Sequence, residues 1–280
     1  DYGYRTGINK TMSSHVAQVK NQVIKKLKLK PFDQVLDIGS NDATLLNSYN
    51  DKKIIKVGMD PLIKKYNKFY SKIDYALPFF FSHKKIPEKI RKKKFKIITA
   101  LSMFYDLENP NKFLKSAKKI LHEEGILLIE QADLYLLLKN NVFDTICHEH
   151  LEYYSTNVII KMLNQNGLKL FDHKFNKVNG GSSQYFICHQ NSSLKVNKKN
   201  INKAIKFEKT IGLEKIITYK KFHSKIIQIK NNLKKIISRI IKKGKIIHGY
   251  GASTKGNVLL QLMNITSNEM KFIAERNPNK

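Results

Sequence analysis

The run Asp37-Ile38-Gly39-Ser40-Asn41-Asp42-Ala43 follows directly on the apolar pair Val35-Leu36. Such a junction reads as a strand breaking into a glycine turn and then a helix. Gly39 lets the backbone turn tightly and come close to a ligand. A helix opening near Asn41 would present its first, unpaired N–H groups. The next apolar stretch, residues 54–59, ends in a second carboxylate, Asp60. At the end of a second strand, that carboxylate is placed to accept hydrogen bonds from ribose hydroxyls. The pair marks a nucleoside-binding α/β domain. A phosphate loop would want more glycines and a Lys-Ser/Thr pair, and the run has neither. One glycine with acidic flanks suits S-adenosylmethionine, which has a ribose, no phosphates and a positive sulfonium.

The rest of the chain supports an alternating α/β pattern. Residues 12–29 predict a helix with Val16, Val19, Val23 and Leu27 on one stripe and lysines opposite, stopped by Pro31. Then come strand 33–38, helix 41–49, strand 54–59, a short helix after Pro61, strand 95–101, helix 109–122 and strand 125–131. Such alternation implies a mainly parallel sheet with right-handed crossovers. Residues 167–176 and 182–189 predict two late strands joined by Asn179-Gly180-Gly181 and paired as an antiparallel edge. Residues 198–243 read as helical and very basic. A strand over 245–250, the loop Gly251-Ala252-Ser253-Thr254-Lys255-Gly256, a helix over 257–263 and a strand over 270–274 begin a second α/β unit. The expected division is a lead-in segment and helix over 1–32, a cofactor domain over 33–192, a helical connector over 193–243 and an incomplete C-terminal α/β domain over 244–280.

Composition narrows the function classes. The two cysteines, Cys147 and Cys188, form no Cys-x-x-Cys, so neither a disulfide framework nor a zinc site is indicated. Apolar runs are too short or too charged to span a bilayer, and no signal peptide is visible, so a soluble cytoplasmic protein is expected. The formal net charge of +30 raises nucleic acid as a partner. Only Arg5, Arg91, Arg239 and Arg276 carry the bidentate fork that phosphate and base readers favour; the other basic residues are lysines spread along the chain. That distribution reads as a solvated surface, with no nucleic-acid partner expected. The charge also favours a phosphate-bearing small substrate.

Three further segments carry chemistry. His148-Glu149-His150 does not have the His-Glu-x-x-His spacing of a zinc helix and has no third ligand, so no metal is expected. Acid–base work fits it better, since a histidine titrates near neutrality and a carboxylate can tune it. Gly180-Gly181-Ser182-Ser183 either lets the backbone approach a ligand or makes a tight hairpin. The Gly251–Gly256 loop with Lys255 could hold a phosphate through N–H groups and the ammonium. Met103-Phe104-Tyr105-Asp106 follows a strand end, where ligands of open α/β sheets bind.

Six stretches in one order carry a resemblance. They are Tyr2-Gly3-Tyr4 with Asn9-Lys10-Thr11-Met12 and His15; Val35 through Asp42; Met103 through Glu108; Phe143-Asp144-Thr145-Ile146 leading into His148-Glu149-His150; Gly180-Gly181-Ser182; and Tyr250-Gly251-Ala252 with Lys255-Gly256-Asn257. Together they resemble the S-adenosylmethionine-dependent sugar C-methyltransferases that act on nucleotide-linked deoxy-keto-sugars. The resemblance implies a Rossmann-like class I methyltransferase sheet, then a helical segment and the start of a second α/β unit. It also implies a zinc-binding domain before Asp1 and a C-terminal domain continuing past Lys280, so the chain reads as a piece of a longer protein.

What the resemblance implies for the site is specific. His150 would be the base, Glu149 would orient it or bind sugar hydroxyls, and Tyr4 would position the sugar or stabilise an enolate. Asp37, Gly39, Asn41, Asp60 and Met103 would bind S-adenosylmethionine. Tyr2, His148, Gly181, Ser182, Tyr250, Gly251 and Lys255 would bind a nucleotide-sugar, expected to be dTDP-linked. The chain departs from the family's pattern at Cys147, where a tyrosine is frequent, at Met103, where a histidine occurs, at Gln184, where arginine is common, and at Ala43, where glycine is frequent. Methylation at oxygen or nitrogen of another small molecule is the alternative within the same cofactor class. A lysine-rich nucleic-acid-binding protein is the alternative outside it.

Overall fold

A computed structural model of the chain describes residues 4–51 and 53–275. Nine strands and ten α-helices form in the described residues. In chain order they are α1 (Lys10–Ile24), β1 (Gln34–Ile38), α2 (Thr44–Asn47), β2 (Ile55–Met59), α3 (Ile63–Tyr66), β3 (Tyr75–Leu77), α4 (Glu88–Lys93) and β4 (Phe95–Leu101). Then follow α5 (Pro110–Ile120), β5 (Leu121–Ala132), α6 (Leu134–Asn140), α7 (Thr156–Gln165), β6 (Leu168–Asn176) and β7 (Ser182–His189). The last elements are α8 (Lys198–Ile211), α9 (Ile216–Lys242), β8 (His248–Tyr250), α10 (Thr254–Met263) and β9 (Phe272–Ala274).

The first seven strands make one sheet in the order β3-β2-β1-β4-β5-β7-β6. Pairing is parallel from β3 through β5 and antiparallel at β5–β7 and β7–β6. This order agrees with the Rossmann-like class I methyltransferase sheet that the resemblance implies. The strands of its centre are buried on both faces, which is why they read as near-continuous apolar runs. On one face Val35, Ile97, Ile126, Leu128 and Phe186 pack with Val16, Val19 and Val23 of α1 and with Leu45 and Leu46 of α2. On the other, Leu36, Ile98, Leu127, Ile129 and Tyr185 pack with Phe113, Leu114 and Ala117 of α5 and with Ile159 and Leu163 of α7. Truncating one of these leucines to alanine would cost about 2–5 kcal/mol.

The strand order reverses between β1 and β4: β2 and β3 continue to one side of β1, β4 and β5 to the other. Ligands of open α/β sheets bind at the carboxyl ends beside such a switch point. Here that crevice is rimmed by the turn after Ile38 and the turn after Leu101.

Several local expectations are corrected. The helix after β1 starts at Thr44, not near Asn41, because Asn41 and Ala43 adopt left-handed φ of 51° and 58°. The basic stretch 198–243 is two helices, broken where Gly212 takes φ 68°. The strand expected from 245 starts at His248. Strand β3 and helices α4, α6 and α7 had no counterpart in the sequence reading. The small parallel sheet β8–β9 forms the second α/β unit. Among the described residues no helix is long and apolar enough to cross a membrane.

Candidate active site

Asp37 lies at the carboxyl end of β1, buried, with its Oδ1 accepting a 2.6 Å hydrogen bond from Thr99 Oγ1 of β4. Burial pushes its carboxyl up to about 7, with the Thr99 hydroxyl opposing and the nearby Asp60 adding to the rise. Gly39 follows at φ 72°. A Cβ there would stand 3.3 Å from Met103 Cγ, so glycine keeps this turn open where Met103 closes over it. Asp60 ends β2, buried, and burial raises its carboxyl against N–H bonds from Leu62 and Asn41. Two desolvated carboxyls on one crevice disfavour their own ionisation, and a cationic ligand relieves that.

The amides expected to be free at this turn are largely engaged. Gly39 N donates to Met59 O at 2.9 Å, Asn41 N to Asp60 Oδ2 at 2.9 Å, and Ala43 N to Ser40 O at 2.8 Å. The Asn41 side chain faces the N-terminal segment, accepting from Thr6 N at 3.0 Å and donating to Tyr4 O at 3.1 Å. Asp42 completes the strap: its Oδ2 accepts from Gly7 N at 2.9 Å and from Arg5 Nε at 3.1 Å. Residues 4–9 are thus laid over the glycine turn, which brings Tyr4 to the crevice. Burial raises the Tyr4 phenol. Tyr2 lies outside the described residues.

His150 is half-buried on the lip formed by the turn after β4. Its ring lies 4.2 Å from the Tyr105 ring, centroid to centroid, and its Nδ1 is 3.2 Å from Thr145 Oγ1. With Thr145 on Nδ1, Nε2 is the nitrogen left for chemistry. Burial holds the imidazole below its ordinary value; a hydrogen bond to the Thr145 backbone opposes this, the Lys255 ammonium lowers it further, and Glu149 opposes. Glu149 and His148 are exposed, and they pair with each other at 3.6 Å. The orienting contact on His150 therefore comes from Thr145, which the sequence reading did not single out. Asp106 stands on the same lip with its carboxyl raised to about 7 by burial and by Glu149.

The second α/β unit reaches this lip. Helix α10 packs against the turn Phe143–Thr145, and Lys255 Nζ donates to Asn179 O at 3.0 Å. Gly180 and Gly181 take φ 87° and 134°, and a Cβ on Gly181 would fall 2.7 Å from Leu136 Cβ. The hairpin itself therefore demands these glycines. Ser182 Oγ donates to Val178 O at 3.0 Å. Gly251 takes φ 94° and its N–H donates to Ala274 O at 2.7 Å, while Tyr250 is exposed. In the same loop, Ala252 N donates to Glu275 Oε2 at 2.7 Å, so a carboxylate already stands where an anion would bind. Among the described residues no three His, Cys, Asp or Glu side chains come together as a metal site.

Residues 9–173 match the family described as methyltransferase domain, which is more than half of the chain. The chain belongs to that family. Residues 177–280 match the C-methyltransferase C-terminal domain. The chain is 24% identical over 276 residues to the C-methyltransferase NovU of Streptomyces niveus, a match covering 98% of this chain and 65% of NovU. The chain thus spans about two thirds of that relative's length. Two solved structures share the fold. The PH0226 protein of Pyrococcus horikoshii OT3 aligns with TM-score 0.52 at 14% identity, covering 66% of this chain and 94% of its own. A Haloferax volcanii protein in complex with the Trm112 methyltransferase activator aligns with TM-score 0.52 at 12% identity, covering 65% and 94%.

The crevice fits the S-adenosylmethionine expected from the sequence. Gly39 gives the backbone approach, Asp60 keeps a second acceptor direction on each oxygen for a ribose hydroxyl, and the desolvated carboxyls of Asp37 and Asp60 suit a cation.

Proposed function

We propose that this methyltransferase acts on carbon, next to the ketone of a nucleotide-linked, dTDP-type deoxy-keto-sugar, with His150 as the base. The observation that carries the reading is the imidazole of His150, held at Nδ1 by Thr145 and kept neutral by burial and by Lys255. A ketone acidifies the neighbouring C–H, and a neutral Nε2 at the lip can take that proton. The Tyr4 phenol, raised by burial, stays protonated and can donate to the enolate oxygen. Bound S-adenosylmethionine supplies the electrophilic methyl group. Lys255 offers a cation beside the same lip for the diphosphate, in place of its present bond to the Asn179 carbonyl. Glu149, His148, Tyr250 and the turns at Gly181-Ser182 and Gly251 complete the proposed sugar-nucleotide contacts. The similarity to NovU and to the C-methyltransferase C-terminal domain supports the choice of carbon.

Solvent exchange tests this. A dTDP-keto-deoxysugar incubated in heavy water with the protein and S-adenosylhomocysteine should gain deuterium next to its carbonyl, and the His150→Ala variant should not catalyse the exchange. Methyl transfer to oxygen or nitrogen without such exchange would replace this reading with that of another small-molecule methyltransferase.

A further inference from the structure

Glu130 lies near the carboxyl end of β5, buried, with its side chain on the α1 face of the sheet. Three elements donate to it. His15 Nε2 of α1 stands 2.6 Å from Oε1. Gln184 Nε2 of β7 and Asn176 Nδ2 of β6 reach Oε2 at 2.7 and 3.0 Å. The Asn176 amide is oriented by its own Oδ1, which accepts from Val178 N at 2.9 Å. Two of the three partners are uncharged amides. Desolvating a carboxylate costs several kcal/mol unless a cation answers it. A carboxylate accepts on both oxygens where a glutamine would turn an NH2 towards a donor, so this ring of donors selects a carboxylate and with it a negative charge.

The register places that charge. Glu130 is level with Leu101 of β4, and Ser102 N donates to the Glu130 carbonyl at 2.7 Å. Ala100 is level with Ile38 of β1, so Leu101 is level with Gly39. The Glu130 backbone therefore lies two strand spacings, about 10 Å, from the glycine turn.

S-adenosylmethionine differs from S-adenosylhomocysteine by one methyl group and one positive charge. We propose that Glu130 is the buried counter-charge that favours the cationic cofactor over its neutral product, with His15 Nε2 holding the carboxylate in place. The proposal rests on the cofactor assignment above. It gives Gln184 and Asn176 a reason to be amides: they fix the carboxylate without cancelling it. It also gives transfer of the methyl group a direct effect on release, because the charge Glu130 attracts disappears from the ligand.

Calorimetric titration of the full chain with each ligand tests it. In Glu130→Gln, the ratio of the S-adenosylhomocysteine Kd to the S-adenosylmethionine Kd should fall about fivefold to tenfold, through weaker S-adenosylmethionine binding. Gln184→Arg should lower the ratio similarly by cancelling the charge while keeping the carboxylate, and it carries the test if Glu130→Gln does not fold. His15→Gln should leave the ratio within about twofold. Equal weakening of both ligands in Glu130→Gln would reduce Glu130 to a structural tie. A ratio that rises in His15→Gln would mean a charged His15 already neutralises it. Either result overturns the proposal. Failure of the unaltered protein to bind either ligand would instead remove the cofactor assignment beneath it.

Discussion

Asn41 N donates to Asp60 Oδ2 at 2.9 Å, tying the turn after β1 to the end of β2. The other Asp60 oxygen accepts from Leu62 N at 2.7 Å. Each oxygen retains one acceptor direction, which is what two ribose hydroxyls need. Asp60→Ala should therefore weaken S-adenosylhomocysteine binding by roughly 1–3 kcal/mol, and should lower the melting temperature because two N–H groups lose their partner. Calorimetry and a thermal melt separate these effects. Unchanged affinity would put the ribose elsewhere.

His150 accepts a proton only when neutral. Burial and Lys255 hold it below the ordinary value of 6.5. The acid limb of kcat/KM should therefore fall below pH 6.5, with activity on its plateau at neutrality. His150→Ala should abolish methyl transfer and leave S-adenosylmethionine binding nearly intact. A limb near 7 would report Asp106, whose carboxyl is raised to about 7, and would move the base to that residue.

How far the sequence carried the fold depends on how long each element is and how it is buried. Strands β4 and β7 were legible to the residue, because seven and eight residues of dense apolar character bounded by turn signals leave little choice. Strand β3 has three residues and ends against Pro78, too short for any period to show. The sequence extends helix α2 back to residue 41 because Asn41 and Ala43 look helix-compatible. The left-handed φ of Asn41 goes with contacts to Asp60 and the N-terminal strap, which are remote in sequence. The same holds at the site. Asp37, Gly39 and Asp60 announce themselves by local pattern. His15 and Glu130 are 115 residues apart and meet only because α1 crosses the sheet at β5. Thr145 beside His150 depends on a turn that no periodicity encodes.

The strap over the glycine turn hangs on Asp42, which accepts from Arg5 Nε, Gly7 N, Thr44 N and Thr44 Oγ1. Asp42→Ala should destabilise the protein by about 2–3 kcal/mol, since hydrogen bonds to a buried charge are among the stronger ones. It should also expose Arg5, so trypsin should cut there sooner than in the unaltered protein. A shifted denaturation midpoint with unchanged cleavage at Arg5 would show that Asn41 alone holds the strap.

Across the β6–β7 pair, His173 Nε2 is 2.9 Å from Ser183 Oγ, which donates to Asp133 Oδ2 at 2.7 Å. Burial lowers His173 from 6.5 to about 4. Below pH 6.5 the unfolded chain binds a proton that the folded chain refuses. This contribution to stability is complete above 6.5 and declines as the pH falls towards 4, by about 3 kcal/mol. Asp133 acts in the opposite sense: burial raises it from 3.8 to about 6, so the folded chain binds a proton first and gains stability as the pH falls through that window. The two partly cancel in the unaltered protein, and a comparison with His173→Asn isolates the histidine. The difference in unfolding free energy between the two proteins, measured by urea denaturation, should narrow by about 3 kcal/mol from pH 7 to pH 4. A constant difference would mean that His173 takes its proton inside the fold, with Ser183 and Asp133 rearranging to accept the charge.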